Sequence, residues 1–168
     1  MNLRLATEKE IPTIVDMWMQ MMDEHQGFDP RVRLSASARY SYESYVMLHI
    51  RGPKSMVIIA EKEGAGIVGF CCAYVCQNLP MFEPQEFGFI SDIFVLPEHR
   101  KTGVGQAIVE KVRLFFRGFE LENIQLQVYN RNERGMRFWK KCGFEPYFQR
   151  MCLELDYPGK RDEEPEKE

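Results

Sequence analysis

The N-terminal part of the chain places apolar residues at the intervals of a helix. The first apolar stripe consists of Ile11, Ile14, Val15, Trp18 and Met22. Spacings of three and four residues put these positions on one helical face, so a helix is predicted over residues 8–25. Thr7 and Glu10 have the spacing of a capping box at its start. A short strand over 2–6 is predicted before it, and a second helix over 36–50 is predicted after it.

Three strands are predicted in the middle of the chain. SMVIIAEKE and IVGFCCAYVCQN are mostly apolar and flank a turn at Gly64 and Gly66, an arrangement typical of a hairpin. After a loop with two prolines, FGFISDIFVL is apolar at most positions and ends before Pro97. A strand that is apolar on both faces is typical of the centre of a sheet.

The last third of the chain predicts helix and strand in alternation. One helical stripe is formed by Val104, Ile108, Val112 and Phe115. Ile124, Leu126 and Val128 then alternate with polar residues, as in a strand with one polar face. A further helix is predicted to begin after Asn132, a good N-cap residue, and to end at Gly143.

The predicted order of elements is β-α-α-β-β-β-α-β-α-β, in which residues 144–157 supply the last strand. Hairpins give antiparallel neighbours, and the later strand–helix–strand unit gives a parallel pair. The fold class is therefore α/β of the α+β type: a single domain over 1–157, with a central mixed, mostly antiparallel sheet flanked by helices. The charged segment 158–168 contains two prolines and no large apolar residue, and we expect it to be disordered.

The composition of the chain is that of a globular protein and does not favour a nucleic-acid-binding or a membrane protein. The 168 residues carry a net charge of −3, and 45% are hydrophobic and 28% charged, as in ordinary globular proteins. The acidic balance gives no support for a nucleic-acid partner, and no apolar run is long enough to span a membrane. The charged N-terminal sequence MNLRLATEKE lacks the apolar core of a signal peptide, so a cytoplasmic protein is expected.

The five cysteines predict neither a disulfide framework nor a metal site. An odd number without a secretion signal argues against disulfides. The cluster CCAYVC lacks the spacing of a zinc site and has no second pair of ligands. Cys71 and Cys72 should point to opposite faces of a strand, and we interpret them as small buried hydrophobic residues.

The segment RKTGVG lies between the central strand and the helix that follows it, and it predicts a phosphate site. At a helix N-terminus the first backbone N–H groups lack an internal acceptor, and the helix dipole favours negative charge. Such a position binds phosphate or pyrophosphate. Gly103 and Gly105 allow the backbone to approach a ligand closely, and Arg100 and Lys101 add cationic donors. A phosphorylated cofactor is therefore expected.

RKTGVG and the later NERGMRFWKKCGF, in this order of elements, resemble the GNAT superfamily of acyl-CoA-dependent N-acyltransferases. The first segment has the Arg-x-x-Gly-x-Gly form of that family's pyrophosphate loop. The second has the form Asn-x-x-small-x-x-aromatic-aromatic-x-x-x-Gly-Phe. The resemblance covers the element order of nearly the whole chain, and its specific part is residues 87–144.

The resemblance implies acetyl-CoA as the co-substrate and no metal. Pantetheine would run along the strand before the loop, near backbone groups of Phe94 and Val95, and Asn132 would lie close to the pantetheine arm. It also implies direct attack by an amine in a ternary complex, and the chain has no GxSxG elbow that would contradict this. The pyrophosphate would lie at Arg100, Lys101, Thr102, Gly103, Val104, Gly105 and Gln106.

One position departs from the family pattern. The second aromatic residue of the later motif is commonly a tyrosine that protonates the departing thiolate, and here it is Trp139. An indole N–H donates hydrogen bonds but is not an acid near neutral pH, so its ring would keep a packing role. The proton could come instead from Tyr147, from Tyr129 or from water.

A general base is useful because only a neutral amine attacks a thioester. The candidates are Asp92 and Glu86, with Glu83 as a third. Asp92 is predicted to share a strand face with Ile90 and Phe94, an apolar setting that would raise its pKa. Each carboxylate also has a structural interpretation: Asp92 as a cap or a partner of arginine, and Glu86 as a solvated charge at a strand end.

The sequence gives weaker indications of which residues would bind the acceptor amine. His25, predicted in the loop after the first helix, could act as a base or contact the acceptor, or it could be an exposed loop residue. Glu83 and Glu86, with Asp29, would suit a cationic amine on a small molecule or a protein. A homodimer would follow the habit of the family.

Two other functions remain open from the sequence. The first is a non-catalytic acyl-CoA-binding sensor of the same fold. It remains an alternative because Trp139 stands where the family commonly has a tyrosine acid. The second is a different phosphate binder, such as a dinucleotide protein. Against the second, the loop lacks the third glycine of GxGxxG and does not follow the first strand.

Overall fold

A computed structural model describes residues 1–155 of the chain. Its helices and strands are β1 Asn2–Leu5, α1 Ile11–Phe28, α2 Ala38–Arg51, β2 Ser55–Lys62, β3 Gly66–Gln77, β4 Glu86–Val95, α3 Val104–Arg117, β5 Ile124–Leu126 and α4 Glu133–Lys141. Single turns of 3-10 helix at Glu8–Glu10 and Pro97–His99 precede α1 and α3. No helix in this part of the chain combines the length and apolar character that a membrane span requires.

The five strands form one sheet in the order β1-β2-β3-β4-β5. The first three pairings are antiparallel, and β4 and β5 pair in parallel, joined through α3. This confirms the α/β fold class and the mixed, mostly antiparallel sheet. A parallel pair needs a long crossover connection, and α3 provides it because its apolar stripe faces the sheet.

Each face of the sheet is covered by one pair of helices. Residues of α1 and α2 pack on one face with Ile59, Phe70 and Phe94, and residues of α3 and α4 pack on the other with Ile58 and Ile90. Cys72 belongs to the first cluster and Cys71 to the second, and both are buried. The predicted alternation of these cysteines is therefore confirmed.

The central strand β4 contains a bulge at Ser91. Cys72 pairs with Asp92 and Ala73 pairs with Ile90, so no residue of β3 stands opposite Ser91. An extra residue shifts the alternation of side chains beyond it. The prediction that Asp92 shares a face with Ile90 was wrong for this reason: Ile90 packs beneath α3, whereas Asp92 and Phe94 face α1 and α2.

Two strand predictions near the C-terminus need correction. The predicted strand over residues 124–128 is formed only at Ile124–Leu126, and residues 144–155 form no strand. That last segment alternates in the right way, but β5 is too short to offer a neighbouring edge, and Pro146 lacks the N–H that a ladder needs. The domain limit at 157 and the predicted disorder of 158–168 lie outside the described residues.

The first helix also differs in its length. The capping box is present: Thr7 accepts from the backbone of Lys9, and Glu10 accepts from the backbone of Thr7 at 2.7 Å. At the other end, α1 continues to Phe28. His25 therefore lies in the last helical turn, and its prediction as a loop residue was wrong, because Gly27 does not interrupt the backbone hydrogen bonding there.

Candidate functional site

The site begins where β4 and β5 separate. The two strands pair only from Gly88 to Ile90, and β4 then continues to Val95 with a strand neighbour on one side only, β3. In the described residues, the other edge of β4 after Ile90 therefore has no strand neighbour, and we call this unpaired stretch between β4 and the chain after β5 the gap. An open strand edge presents backbone N–H and C=O groups that an extended ligand can pair with.

The loop after β4 leads directly into α3 at one end of this gap. Lys101 and Gly103 adopt positive φ angles of 63° and 88°, and Gly103 is the N-cap of α3 without a capping side chain. The first backbone donor of the helix with a described acceptor is Ala107, which bonds Gly103. The N–H groups at Val104–Gln106 have no acceptor among residues 1–155, which is the electrostatic setting of an anion site.

Glycine is needed at the two positions of the loop for different structural reasons. A Cβ at Gly103 would meet nothing within 4 Å, so glycine is required there by its positive φ. A Cβ at Gly105 would lie 3.0 Å from the ring of Phe138 in α4, so this glycine permits close packing of the two helices. The positive φ that glycine permits is found at Gly103 and not at Gly105, and the approach of a ligand to either glycine stays a prediction.

Arg100 is held by the protein rather than left free. Its Nε donates to the carbonyl of Val95 at 2.8 Å, and its guanidinium pairs with Glu24 of α1 at 2.6 Å. Arg134 of α4 pairs with the other oxygen of Glu24. Burial acts to raise the pKa of Glu24, but the hydrogen bonds from the two arginines outweigh it and lower that pKa. Lys101 has no ion-pair partner in the described part of the chain.

The last turn of α1 therefore contacts residues that follow β4 and residues that follow β5. Glu24 reaches Arg100 and Arg134, and the His25 ring lies edge-on to Tyr129, with centroids 5.3 Å apart. Burial lowers the pKa of His25, so its imidazole is neutral at neutral pH and able to accept a proton. Tyr129 lies just beyond β5 and is partly exposed.

Asp92 lies on the α1 and α2 face, two residues after β5 pairing ends. Ser91 Oγ is 2.6 Å from Asp92 Oδ2, and Trp18 and Tyr42 are its other polar neighbours. Burial raises the pKa of Asp92, and these neutral hydrogen-bond donors only partly oppose the rise. Asp92 as a whole residue is only partly exposed, and the buried Tyr42 hydroxyl lies near its carboxylate without forming a hydrogen bond of good geometry. The predicted rise in pKa is confirmed, although its neighbours differ from those expected.

Glu86 and Glu83 are not brought together with Asp92. Glu86, at the start of β4, bonds Lys54 Nζ at 2.6 Å, and this hydrogen bond lowers its pKa. Six residues of extended strand separate it from Asp92, a distance of about 20 Å. Glu83 is exposed in the loop before β4. Of the three carboxylates, Asp92 is the one that lies just beyond the pairing of β4 with β5, and burial raises its pKa.

Asn132 and Trp139 both serve structural roles in α4. Asn132 is its N-cap, as predicted, and its Oδ1 accepts from the backbone of Gly135 at 2.8 Å. Trp139 is 8% exposed and packs between the rings of Phe138 and Phe144. The tryptophan thus keeps the packing role that the sequence indicated.

Tyr147, the other acid candidate, lies away from this arrangement. It is 81% exposed, and its ring contact is with Phe148, at 6.1 Å between centroids. Tyr129 is the candidate tyrosine that the structure brings to the gap. Cys72 lies beside Asp92, but burial raises its pKa to about 12, so its thiol is not a nucleophile at neutral pH.

Several residues of the site were missed by sequence reasoning. Glu24 contacts Arg100 and Arg134, which follow it in the chain by 76 and 110 residues. No local sequence pattern predicts such distant pairs. Trp18 was interpreted as part of a helical stripe and Tyr42 was not singled out within the second helix, yet the two rings stack at 4.1 Å beside Asp92. No group of three or more potential ligands for a metal ion is found in residues 1–155.

Comparisons with known proteins give the family and the fold. The profile of the acetyltransferase (GNAT) family matches residues 18–144. An uncharacterised N-acetyltransferase of Archaeoglobus fulgidus is 25% identical over 141 residues, which are 83% of this chain and 89% of that protein. The solved structure of a tetramutant of the BH1408 protein from Bacillus halodurans aligns with a TM-score of 0.83 at 25% identity, covering 92% of this chain and all of that one.

A more distant structural neighbour has been solved in complex with CoA. The aminoglycoside N-acetyltransferase AAC(6')-Iy in complex with CoA aligns with a TM-score of 0.69 at 14% identity, covering 93% of this chain and 100% of that chain. At this identity the likeness shows the common fold.

Proposed function

The chain belongs to the acetyltransferase (GNAT) family and is an acetyltransferase; from this premise we propose that it moves an acetyl group from acetyl-CoA to a primary amine by direct attack in a ternary complex. The observation that carries the proposal is the continuity of two binding surfaces. The unpaired edge of β4 leads, within a few residues, to the uncapped N-terminus of α3.

The residues of this region suit the parts of acetyl-CoA. Backbone N–H groups at Val104–Gln106 would hold the pyrophosphate, and Lys101 would add a cation. Pantetheine would pair with the open edge of β4 near Phe94 and Val95, in the manner of an added strand. A structural neighbour that is known in complex with CoA supports the same co-substrate.

The chemical step requires removal of a proton from the amine. An ordinary amine with a pKa near 10 is only about one part in a thousand neutral at pH 7. Asp92, whose pKa is raised by burial, would accept that proton as the amine nitrogen attacks the thioester carbonyl. A backbone N–H at the open edge of β4 would stabilise the oxyanion.

Collapse of the tetrahedral adduct breaks the C–S bond and releases the thiolate of CoA. A thiol pKa of about 8.5 makes its protonation an easy step, which water or Tyr129 beside the gap would complete. Cys72, the cysteine beside Asp92, is not suited to carry the acyl group, because burial raises its pKa and keeps it as a thiol.

The proposed binding of acetyl-CoA is tested by thermal stabilisation of two matched glycine variants. Gly103→Val places a branched side chain at a positive φ in the pyrophosphate loop and should abolish the thermal stabilisation by acetyl-CoA. Gly64→Val is the control, because Gly64 also has positive φ and open space around it but lies in the β2–β3 turn. Acetyl-CoA should stabilise the control and the wild type, and NAD should stabilise neither. Equal affinity for acetyl-CoA in both variants would exclude the loop as the binding site.

A further inference from the structure

Four aromatic side chains form a continuous surface on the α2 face of the sheet. We call Tyr45, His49, Tyr74 and Phe89 the aromatic wall. His49 stacks on Tyr74 with centroids 4.4 Å apart and planes inclined by 14°, and Tyr45 meets His49 edge-on at 4.4 Å. Phe89 continues the series from Tyr74 at 5.6 Å. All four residues are partly exposed, so the series of rings reaches the protein surface.

The aromatic wall ends at Asp92. Tyr45 lies 5.6 Å from Tyr42, which is a neighbour of Asp92, and the Tyr45 hydroxyl lies next to Ser91. The bulge in β4 places Ser91 and Asp92 on the same side of the sheet as the aromatic wall. An amine bound at Asp92 from this side would lie two residues beyond Ile90, where the pairing of β4 with β5 ends.

The charges around the aromatic wall favour a single positive group. Asp92 has the neutral neighbours Ser91, Trp18 and Tyr42 and no cationic partner among residues 1–155. Glu86, which by the alternation of β4 shares the α3 face with Gly88, is already paired with Lys54. Burial lowers the pKa of His49, so its ring is neutral at neutral pH and does not repel a cation.

The same observations argue against a polycation. Several ammonium groups need several free carboxylates, and two of the acidic residues first considered for this purpose are occupied. Glu86 is bound to Lys54, and Asp29 is bound to Arg31 at 2.6 Å. Desolvating extra ammonium groups against the rings would be unfavourable, because their charges would have no partner.

We propose that the acceptor is a primary amine on a flat, aromatic body, whose ring lies on the aromatic wall and whose nitrogen meets Asp92. This inference rests on the proposed acetyl transfer and names the substrate class of that same site. Aromatic rings pack against one another in stacked or edge-on geometry, and the wall offers both orientations. A lone carboxylate at its end fixes the position of a single amine.

The test compares kcat/KM for CoA thiol release with three amines: 2-phenylethylamine, ethylamine and the aminoglycoside kanamycin. The full chain should prefer 2-phenylethylamine to ethylamine by a factor on the order of 100, since burial of a ring contributes about 2 to 3 kcal/mol. A higher kcat/KM for kanamycin than for 2-phenylethylamine would overturn the proposal. So would equal values for 2-phenylethylamine and ethylamine.

Variants locate the preference on the aromatic wall. Tyr74→Ala should raise the KM for 2-phenylethylamine about tenfold and leave that for ethylamine nearly unchanged. Tyr40→Ala is the control, because Tyr40 is 73% exposed on α2 and is not part of the wall. An equal effect of Tyr74→Ala on both amines would also overturn the proposal. Where Tyr74→Ala lowers the melting temperature, Tyr74→Leu replaces it.

Failure of the proposed function has a different signature. If acetyl-CoA does not stabilise the protein, the acetyl-transfer site itself is refuted, together with the inference that rests on it. If acetyl-CoA stabilises the protein and kanamycin is the better acceptor, only the substrate class is wrong.

Discussion

The role proposed for Asp92 as a base and the stability of the fold make opposite demands on this residue. Its surroundings are apolar rings, a serine and a buried phenol, so ionisation is disfavoured and its pKa is raised. A group whose pKa is higher in the folded than in the unfolded state binds its proton more tightly when folded. As the pH rises from the ordinary value of 3.8 through the raised pKa, the unfolded chain therefore loses its proton first and stability falls.

Asp92→Asn should accordingly raise the melting temperature at neutral pH while lowering kcat/KM by about 10²- to 10⁴-fold. The wild-type rate should fall as the pH drops through the raised pKa of Asp92, and the variant should lack that limb. Scanning calorimetry and pH–rate profiles check both parts. Asp23→Asn, on the exposed surface of α1, should change neither. A lower melting temperature for Asp92→Asn with unchanged rates would assign Asp92 a structural role.

Gly88 shows a second residue-scale constraint, in the centre of β4. A Cβ at this position would lie 2.7 Å from the ring of Phe116, which is fully buried in α3. Gly88→Ala should therefore destabilise the protein by about 1 to 3 kcal/mol through overpacking. Gly27→Ala, in the last turn of α1 with nothing within 4 Å, should instead stabilise it by up to about 1 kcal/mol. Urea unfolding of the two variants should give shifts of opposite sign.

At the scale of elements, local periodicity predicted most of what the structure contains. The stripes of α1 and α3 and the apolar run of β4 were sufficient, because each element buries one or both of its faces. The bulge at Ser91 had no local signal, since it depends on the register with β3. The strand predicted after residue 144 had a suitable pattern but no backbone partner. A strand is a property of two segments, and sequence periodicity describes only one.

The junction of β1, β2 and the first helical turn depends on one arginine. Arg4 pairs with Glu10 at 3.1 Å and with Glu61 at 2.8 Å, and the hydrogen bond from Arg4 lowers the pKa of Glu10 to about 2. A carboxylate with a lowered pKa stabilises the fold above its unfolded value of 4.5, and this stability is lost as the pH falls toward 2.

Glu10→Gln should remove that pH-dependent part of the stability. Between pH 4.5 and 2, the free energy of unfolding should fall less steeply in the variant than in the wild type, as measured by urea titration at each pH. Glu8→Gln is the matched control, because the carboxylate of Glu8 pairs with Arg51 on the exposed surface, where such pairs contribute little. Identical slopes for Glu10→Gln and the wild type would show that the pair with Arg4 does not stabilise the junction.

At the scale of the whole molecule, α1 connects the two sides of the site. Glu24 holds Arg100, after β4, and Arg134, in α4, so one carboxylate offsets two charges at the gap. The site residues on β4 and its loop were predicted from the sequence because they are local to one motif. This connection was not predicted, because it joins three distant segments.

Glu24→Gln should release positive charge next to the pyrophosphate loop and lower the Kd for CoA by roughly a few-fold at low ionic strength. The gain should fade as salt rises above about 0.1 M, where exposed charges are screened within about 10 Å. Isothermal titration at two salt concentrations measures both effects. Asp16→Asn changes the same charge on the same helix but releases Arg39, outside the gap, and should leave the Kd unchanged. Weaker binding by Glu24→Gln would show that Glu24 positions the arginines for the ligand.

The open edge of β4 also bears on how the protein behaves in solution. An unpaired strand edge is a template on which another chain can add a strand, and such edges promote aggregation. A co-substrate that occupies the edge would act as a solubilising ligand, so the apoprotein should cluster on mild heating and CoA should suppress the light scattering. Cellular supply of the acyl donor would then govern the lifetime of the enzyme as well as its rate.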